Sequence, residues 1–204
     1  MQTMTISTPV PAAAAAPKTR VRLPAQVEPA ERLQGLAPVV GPHTRVLVLG
    51  SFPGVASLVR QQYYAHPQNH FWRLLQALWP QHPQPGPDDY DGRCEWLLAR
   101  GLGLWDVYDS CEREGSLDAA IRQPQVNDFA ALRAHCPQLQ LLAHNGAESF
   151  RHAPAALAAL DPSGSAPLQA VKLPSTSPAN AGWSFERKRQ AWHEALAAAG
   201  LVTA

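Results

Sequence analysis

The chain has 204 residues, 46% of them hydrophobic, and a formal net charge of +1. This length suits one domain with its own core. The near-neutral charge excludes a general attraction to nucleic acid, so any DNA binding requires a local basic patch. The three cysteines, Cys94, Cys111 and Cys136, are too few for a disulfide framework and lack metal-ligand spacing. This cysteine pattern leads us to expect no metal, metal cluster or cofactor. No run is long enough to span a bilayer, so we expect a cytoplasmic protein.

Residues 1–27 form a separate compositional region, rich in alanine and proline and without an apolar period. The alanine run is short and bounded by prolines, so it does not resemble the apolar region of a secretion signal. We expect a disordered tail over residues 1–27 and a single folded domain over residues 28–204.

From residue 46 onward, short apolar runs alternate with helical periodicity. The runs predict four strands, at Val46–Leu49, Leu102–Val107, Leu139–Ala143 and Leu168–Leu173. The segments between and after them predict five helices. The first begins at Asn69 or His70, the second covers Arg93–Arg100, and the third runs from Asn127 or Asp128 to about His135. The fourth covers Ala147–Leu160 with a break at Pro154, and the fifth runs from Ser184 to Gly200. Segments 81–92 and 108–125 are predicted to be loops. This alternation indicates an α/β fold, a three-layer α/β/α sandwich around a four-stranded, mainly parallel sheet.

The connection between the first strand and the Asn69 helix is unusually long and contains Gly, Pro, Tyr, His and Asn. Connections of this length in compact domains are commonly functional. This one leaves the carboxyl end of a buried strand, where open α/β folds place their ligands. The connection is therefore predicted to bind a planar, polar ligand.

Four motifs in this region and beyond resemble those of the uracil-DNA glycosylase superfamily, above all its hypoxanthine-DNA (deoxyinosine) glycosylase branch. They are GSFPG with QQYYAHPQNHFW (50–72), LWDVYDSCEREGSLD (104–118), LPSTSPAN (173–180) and, as a weaker match, AHNGAESF (143–150). The resemblance implies an α/β/α catalytic domain that works as a monomer at the nucleoid. It implies a hydrolase that flips a deaminated base out of damaged DNA, double- or single-stranded, and cleaves its N-glycosidic bond. Hypoxanthine is the first expected base, and a mismatch-type uracil-DNA glycosylase is the alternative.

Two residues are expected to be catalytic. The resemblance assigns a functional asparagine to Asn69, whose amide can hold a water or donate to the base, although Asn is also a favoured helix cap. Asp106 ends the second strand, where related glycosylases often have Asn. Its carboxylate could accept the N1–H of hypoxanthine or position a water, or it could cap the following turn.

Two further groups of residues complete the predicted site. The residues expected to contact the base are Gly50, Ser51, Phe52, Pro53, His66, Phe71 and Asn145. Those expected to contact DNA phosphates are Ser175, Thr176, Ser177, Asn180, Arg187 and Lys188, the last two as the local basic patch. For Phe52, stacking on the base and filling the core are equally compatible with the sequence.

Other functions fit the sequence less well. A nucleotide-binding module with GSFPG around a phosphate lacks both a following Lys-Ser/Thr and the Rossmann spacing. A serine hydrolase lacks the G-x-S-x-G elbow. Strand cleavage requires a lysine amine nucleophile, and Lys172 within a strand is the only lysine near a motif. We therefore expect a monofunctional enzyme that leaves an abasic site.

Overall fold

The structure is a computed structural model that describes residues 32–164 and 168–203. The predicted tail at residues 1–27 lies outside the described residues. Within the described ranges, no helix combines the length and the apolar character needed to cross a membrane.

Seven strands and seven α-helices follow one another along the described chain. The strands are β1 (Arg32–Gln34), β2 (Val46–Gly50), β3 (Leu102–Asp106), β4 (Tyr108–Glu112), β5 (Arg122–Val126), β6 (Leu141–Asn145) and β7 (Gln169–Leu173). The helices are α1 (Val55–Arg60), α2 (Phe71–Leu78), α3 (Tyr90–Leu98), α4 (Phe129–Leu132), α5 (Ala147–Phe150), α6 (Ala153–Leu160) and α7 (Phe185–Ala198).

The central sheet has the order β3-β2-β6-β7, and every neighbouring pair is parallel. Gly50 lies opposite Asp106, and Asn145 lies opposite Leu173. All four strands therefore end at the same edge of the sheet. This topology confirms the predicted four-stranded parallel sheet.

Alternating side chains of β2 divide the core into two parts. Val46 and Val48 pack with buried residues of α2, α3 and α7, whereas Leu47 and Leu49 pack with buried residues of α4 and α6. Because successive strand side chains point to opposite faces, helices cover both faces of the sheet. This arrangement confirms the α/β/α sandwich.

Segment 108–125, predicted to be a loop, instead contributes β4 and most of β5 to a second, antiparallel sheet of order β1-β4-β5. β5 is exposed along its whole length, so it carries no apolar alternation that could have revealed a strand. Helix α1 was also missed, because it has only six residues and its cap, Gly54, offers no capping side chain.

Two helix boundaries differ from the prediction. α3 begins at Tyr90 rather than Arg93, because the Asp89 carboxylate accepts a hydrogen bond from the Gly92 N–H and caps the first turn. The helix break before α6 precedes Pro154, which lies in the first turn of α6. Proline is tolerated there because the first-turn N–H groups have no partner within the helix.

Candidate active site

A cavity of about 530 Å³ opens at the carboxyl edge of the central sheet, within the usual size range of ligand pockets. Most of the predicted site residues line it: Gly50, Ser51, Phe52, Pro53, His66, Asn69, Asp106, Asn145, Ser175, Ser177 and Asn180. Its wall also contains unpredicted residues, among them Tyr63, Tyr64, Ser116, Leu117 and Asp118. The sheet thus brings together four segments that are distant in sequence, one after each strand of the central sheet.

Asp106 is a buried member of this lining, with 5% of its surface exposed. Its Oδ2 has no hydrogen-bond partner among the described residues. Burial raises the pKa of Asp106 to about 7; the charge of Arg113 lowers this pKa, and that of Asp118 raises it. An unpaired buried carboxyl group with a pKa near neutrality is a candidate for contact with a ligand.

Gly50 lies against Asp106. A Cβ added to Gly50 would come within 2.2 Å of the Asp106 Oδ1, so only glycine allows this position of the carboxyl group. We predict that Gly50→Ala displaces the Asp106 side chain and lowers the single-turnover rate of the reaction at this site at least about tenfold. Rate measurements beside thermal melting curves test this: an unchanged rate in a folded variant would contradict it.

Tyr64 adds a second buried polar group to the cavity wall. Burial and the negative charge of Asp106 raise the pKa of the Tyr64 hydroxyl, and the nearby Asn145 side chain acts in the opposite direction. The Tyr64 hydroxyl has no hydrogen-bond partner among the described residues. Its backbone has a φ of 56°, a costly conformation for a bulky residue and one that clusters at functional sites. Tyr64 was not among the predicted site residues, and only its position in the long connection indicated a role.

Phe71 does not contact the cavity, contrary to prediction. It is fully buried, stacks on Tyr64 with ring centroids 3.9 Å apart, and meets Trp192 edge-on at 5.9 Å. As the first residue of α2 it faces the sheet, so it supports Tyr64 from behind.

Asn69 lies both at the start of α2 and on the wall of the cavity. Its Oδ1 accepts the Phe71 N–H at 3.0 Å, which caps the start of α2. Its amide nitrogen donates to no other described residue, and Asn69 lines the cavity. With its oxygen engaged by the helix, the amide contributes its N–H donors to the cavity. His66, also in the lining, is exposed, and its Nδ1 accepts the Gln68 N–H.

The segment 174–180 is held by its polar side chains. Asn145 donates to the Thr176 Oγ1 at 3.0 Å and accepts the Thr176 N–H at 2.9 Å. Thr176 is fully buried, so its predicted phosphate contact is wrong: it braces the loop from inside. Ser175 and Ser177 line the cavity, and each oxygen accepts a backbone N–H two residues on, which leaves their hydroxyl protons free to donate.

The predicted basic patch is only half present. Lys188 is 1% exposed, and its Nζ donates to the Ser177 carbonyl at 3.5 Å, so a contact with phosphate is wrong for this residue. In α7, which begins after the Ser184 cap, Lys188 shares the inward face with Trp192, one turn later. Arg187 is exposed and lies over the Trp183 ring, 4.4 Å from its centroid.

Phe52 belongs mainly to the core. It is 6% exposed and packs with residues such as Leu49 and Trp105, and it also lines the cavity. A contact with the base therefore stays a prediction for this residue. The Arg113 guanidinium lies 5.0 Å from its ring centroid and donates to the Pro53 carbonyl. This buried arginine holds the GSFPG loop against the second sheet.

A turn that the sequence did not single out forms one rim of the cavity. The Ser51 hydroxyl donates to the Asp118 Oδ1 at 2.5 Å, and the Ser116 Oγ accepts the Val55 N–H at 3.0 Å. Leu117 lies between these anchors with 61% of its surface exposed. The only available signal was its membership of the second motif.

Comparisons with known proteins agree with this fold. A family model, Uracil DNA glycosylase superfamily, matches residues 37–197. Two curated relatives named hypoxanthine DNA glycosylase, from Methanosarcina barkeri and Methanosarcina acetivorans, are 40% and 36% identical over 121 residues, which is 59% of this chain and 75% of each relative. A solution NMR structure of a uracil DNA glycosylase candidate from Methanosarcina acetivorans has a TM-score of 0.69 and 30% identity, covering 83% of this chain and 99% of that one. The chain therefore belongs to the uracil DNA glycosylase superfamily.

Proposed function

We propose that the chain is a monofunctional DNA glycosylase that removes deaminated bases, hypoxanthine first and uracil second. The observation that carries the proposal is the opening of the buried, unpaired Asp106 carboxyl group and the Asn69 amide onto one cavity. The two relatives named hypoxanthine DNA glycosylase support hypoxanthine as the first base. A DNA substrate implies action at the nucleoid.

Asp106 gives this cavity its selectivity for the base. An ionised carboxylate can only accept hydrogen bonds. It therefore suits the N1–H of hypoxanthine or the N3–H of uracil, and it repels the lone pair that adenine has at N1. A buried carboxylate facing a lone pair would lose its hydration without gaining a hydrogen bond.

Asn69 is proposed to act on the breaking bond. Cleavage leaves negative charge on the departing base, and N–H donors aimed at that charge stabilise the transition state. Alternatively, the second lone pair of the Asn69 Oδ1 can accept a hydrogen bond from the attacking water. Either role requires the amide to stay in one orientation, which its bond to the start of α2 provides.

The cavity lining argues against strand cleavage and against a nucleotide-binding module. It contains no lysine in the described part of the chain, so it offers no amine nucleophile for strand cleavage. A phosphate cradled by the GSFPG loop would lie close to the Asp118 carboxylate that Ser51 binds. Like charges at that distance disfavour a nucleotide-binding module.

Base release from defined oligonucleotides tests the function. Single strands and duplexes with hypoxanthine, uracil or xanthine opposite each normal base are incubated with the protein, and alkali-labile sites are scored. Hypoxanthine strands should become alkali-labile while staying intact without alkali. No base release from any substrate would overturn the proposal, and breaks without alkali would overturn its monofunctional part.

Leu117 is proposed to fill the space that the flipped nucleotide leaves in the duplex. An exposed leucine at the cavity rim, anchored through both neighbouring residues, is placed to enter a base stack, as apolar wedges do in other proteins that distort DNA. Unstacking and unpairing cost a few kcal/mol in a duplex and much less in a single strand.

We therefore predict that Leu117→Ala lowers excision from duplex DNA by about tenfold and excision from single strands by less than about twofold. Single-turnover rates on matched single- and double-stranded substrates measure this difference. Val126→Ala, a comparably exposed apolar residue outside the cavity lining, is the control and should behave like the parent. An equal loss on both substrates would place Leu117 in contact with the base instead.

A further inference from the structure

A second cavity, of about 770 Å³, lies beside the first. The two share four wall residues, Tyr63, Tyr64, His66 and Asn69. The rest of the second cavity is formed by the end of α1, residues of the connection 62–67, α2, segment 84–93 and Phe185. We call it the arginine groove, because Arg60, Arg73 and Arg93 line it.

The charge of the arginine groove is one-sided. Asp88 is the one acidic residue in its described lining, against the three arginines. Arg73 is exposed, its guanidinium lies over the Phe185 ring at 4.2 Å, and it donates to no described residue. Positive charge from Arg73 and Lys188 also contributes to lowering the pKa of His70, after the larger effect of burial.

The other two arginines differ in how much of their donor capacity is free. Arg60 is exposed and makes one long bond, 3.4 Å, to the Ala65 carbonyl. Arg93 is more enclosed: its Nε donates to the Pro85 carbonyl at 3.0 Å, and its guanidinium lies 5.1 Å from the Trp72 ring centroid. Arg60 and Arg73 therefore keep most of their N–H donors for a ligand, whereas Arg93 mainly contributes charge.

We propose that the arginine groove binds the phosphodiester backbone of the damaged strand, next to the flipped nucleotide. This inference rests on the proposed glycosylase function. The chain has a net charge of only +1, so attraction to DNA must be local, and Lys188 is buried where the sequence had suggested such a patch. Guanidinium groups match phosphate geometry with paired N–H donors.

The shape of the groove selects one strand rather than a duplex. Its volume suits a few nucleotides, and grooves that combine positive charge with aromatic walls are typical of single-strand tracks. Asn69, on the wall shared with the catalytic cavity, connects this track to the reacting nucleotide. The groove therefore binds the strand on one side of the lesion only.

The test is a double variant, Arg60→Gln with Arg73→Gln. Neither residue lines the catalytic cavity. Binding to a fluorescent single strand with a stable abasic analogue is titrated at several salt concentrations. The double variant should bind about tenfold or more weakly, and the slope of log affinity against log salt should flatten by about 1.4, or 0.7 for each lost contact.

Two matched variants separate this site from general charge effects. Arg133→Gln removes an arginine that donates to the Leu139 carbonyl, just before β6 enters the opposite edge of the sheet. Its affinity and salt slope should equal those of the parent. Arg187→Gln tests the exposed half of the predicted patch in the same assay, and a larger loss there than in the groove variant would move the track to α7.

Strand truncation tests the one-sided geometry. Shortening the single strand on one side of the abasic analogue should weaken binding by the parent, and shortening it on the other side should not. The double variant should be insensitive to both. Parental affinity and slope in the double variant would overturn the groove proposal. A parent that releases no base would refute the glycosylase function and leave the binding result intact.

Discussion

Asn69→Ala is expected to lower the single-turnover rate of base release about a hundredfold or more, which corresponds to roughly 3 kcal/mol of lost transition-state stabilisation. Affinity for DNA should stay close to that of the parent, because phosphate contacts supply most of it. The physical reason is the loss of N–H donors that face the cavity and have no other described partner. Single-turnover kinetics with saturating protein, together with equilibrium titration, measure both quantities.

The capping bond of Asn69 makes matched controls possible. Alanine removes the oxygen that accepts the Phe71 N–H, so Asn69→Ala should also lose about 1 kcal/mol of stability. Asn69→Asp and Asn69→Ser keep an oxygen cap but lose the amide donors. These two variants should melt near the parent temperature and still release the base slowly. Parental rates in both, with the alanine variant impaired only in stability, would reduce Asn69 to a helix cap.

The sequence predicted the sheet well because local patterns encode it. A strand buried on both faces requires a continuous apolar run such as Val46–Leu49, and parallel strands in sequence require crossing helices. Once those runs are aligned, their carboxyl ends share an edge. The convergence of Asp106 and Asn145 with the long connection therefore follows from topology alone.

Two of the errors occurred where the phase of a helix decides which side is buried. A charged run normally indicates a solvated helix face, but α7 packs so that Lys188 points inward with Trp192. Phe71 was predicted to contact the flipped base because it lies in the first motif, yet this first residue of α2 packs in the core. Neither phase can be derived from residue type, because tertiary packing sets both.

The rim of the cavity could not be predicted for a different reason. β4 and β5 pair through backbone hydrogen bonds between polar segments, and this pairing positions the turn that carries Leu117. The pairing of an exposed strand such as β5 depends on long-range geometry and leaves no local period. The second motif contained these residues, but only the fold shows that they border the cavity.

Asp106→Asn is expected to change the pH dependence of the reaction as well as its base preference. The pKa of Asp106 is raised to about 7 by burial, and the ionised form is the one that accepts the base N–H. The parent rate should therefore increase about tenfold per pH unit below that pKa and become constant above it. In Asp106→Asn this increase should disappear. The ratio of hypoxanthine to uracil release should shift toward uracil, because the amide also donates to a pyrimidine carbonyl.

Stability supplies an independent measurement of the same group. Because the folded pKa of about 7 lies above the unfolded value of 3.8, the folded state binds more protons between these values. The Asp106 contribution to stability is thus fully present below about pH 4 and is lost as the pH rises through about 7. Asp106→Asn, which has no charge to bury, should be more stable than the parent above that pH. The expected gain is of the order of a few kcal/mol, since one pKa unit corresponds to about 1.4 kcal/mol.

These two measurements together identify the active form of Asp106. Urea unfolding at about pH 5 and about pH 8 reports whether the carboxyl group is buried with a raised pKa, and the pH–rate profile reports which form the reaction uses. A parent rate that falls as the pH rises through about 7 would show that the neutral carboxyl group donates to the base, which would overturn its role as an acceptor. An unchanged base ratio in Asp106→Asn, with the rate preserved, would remove Asp106 from base recognition. Its destabilising burial would then have no compensating role in binding the base.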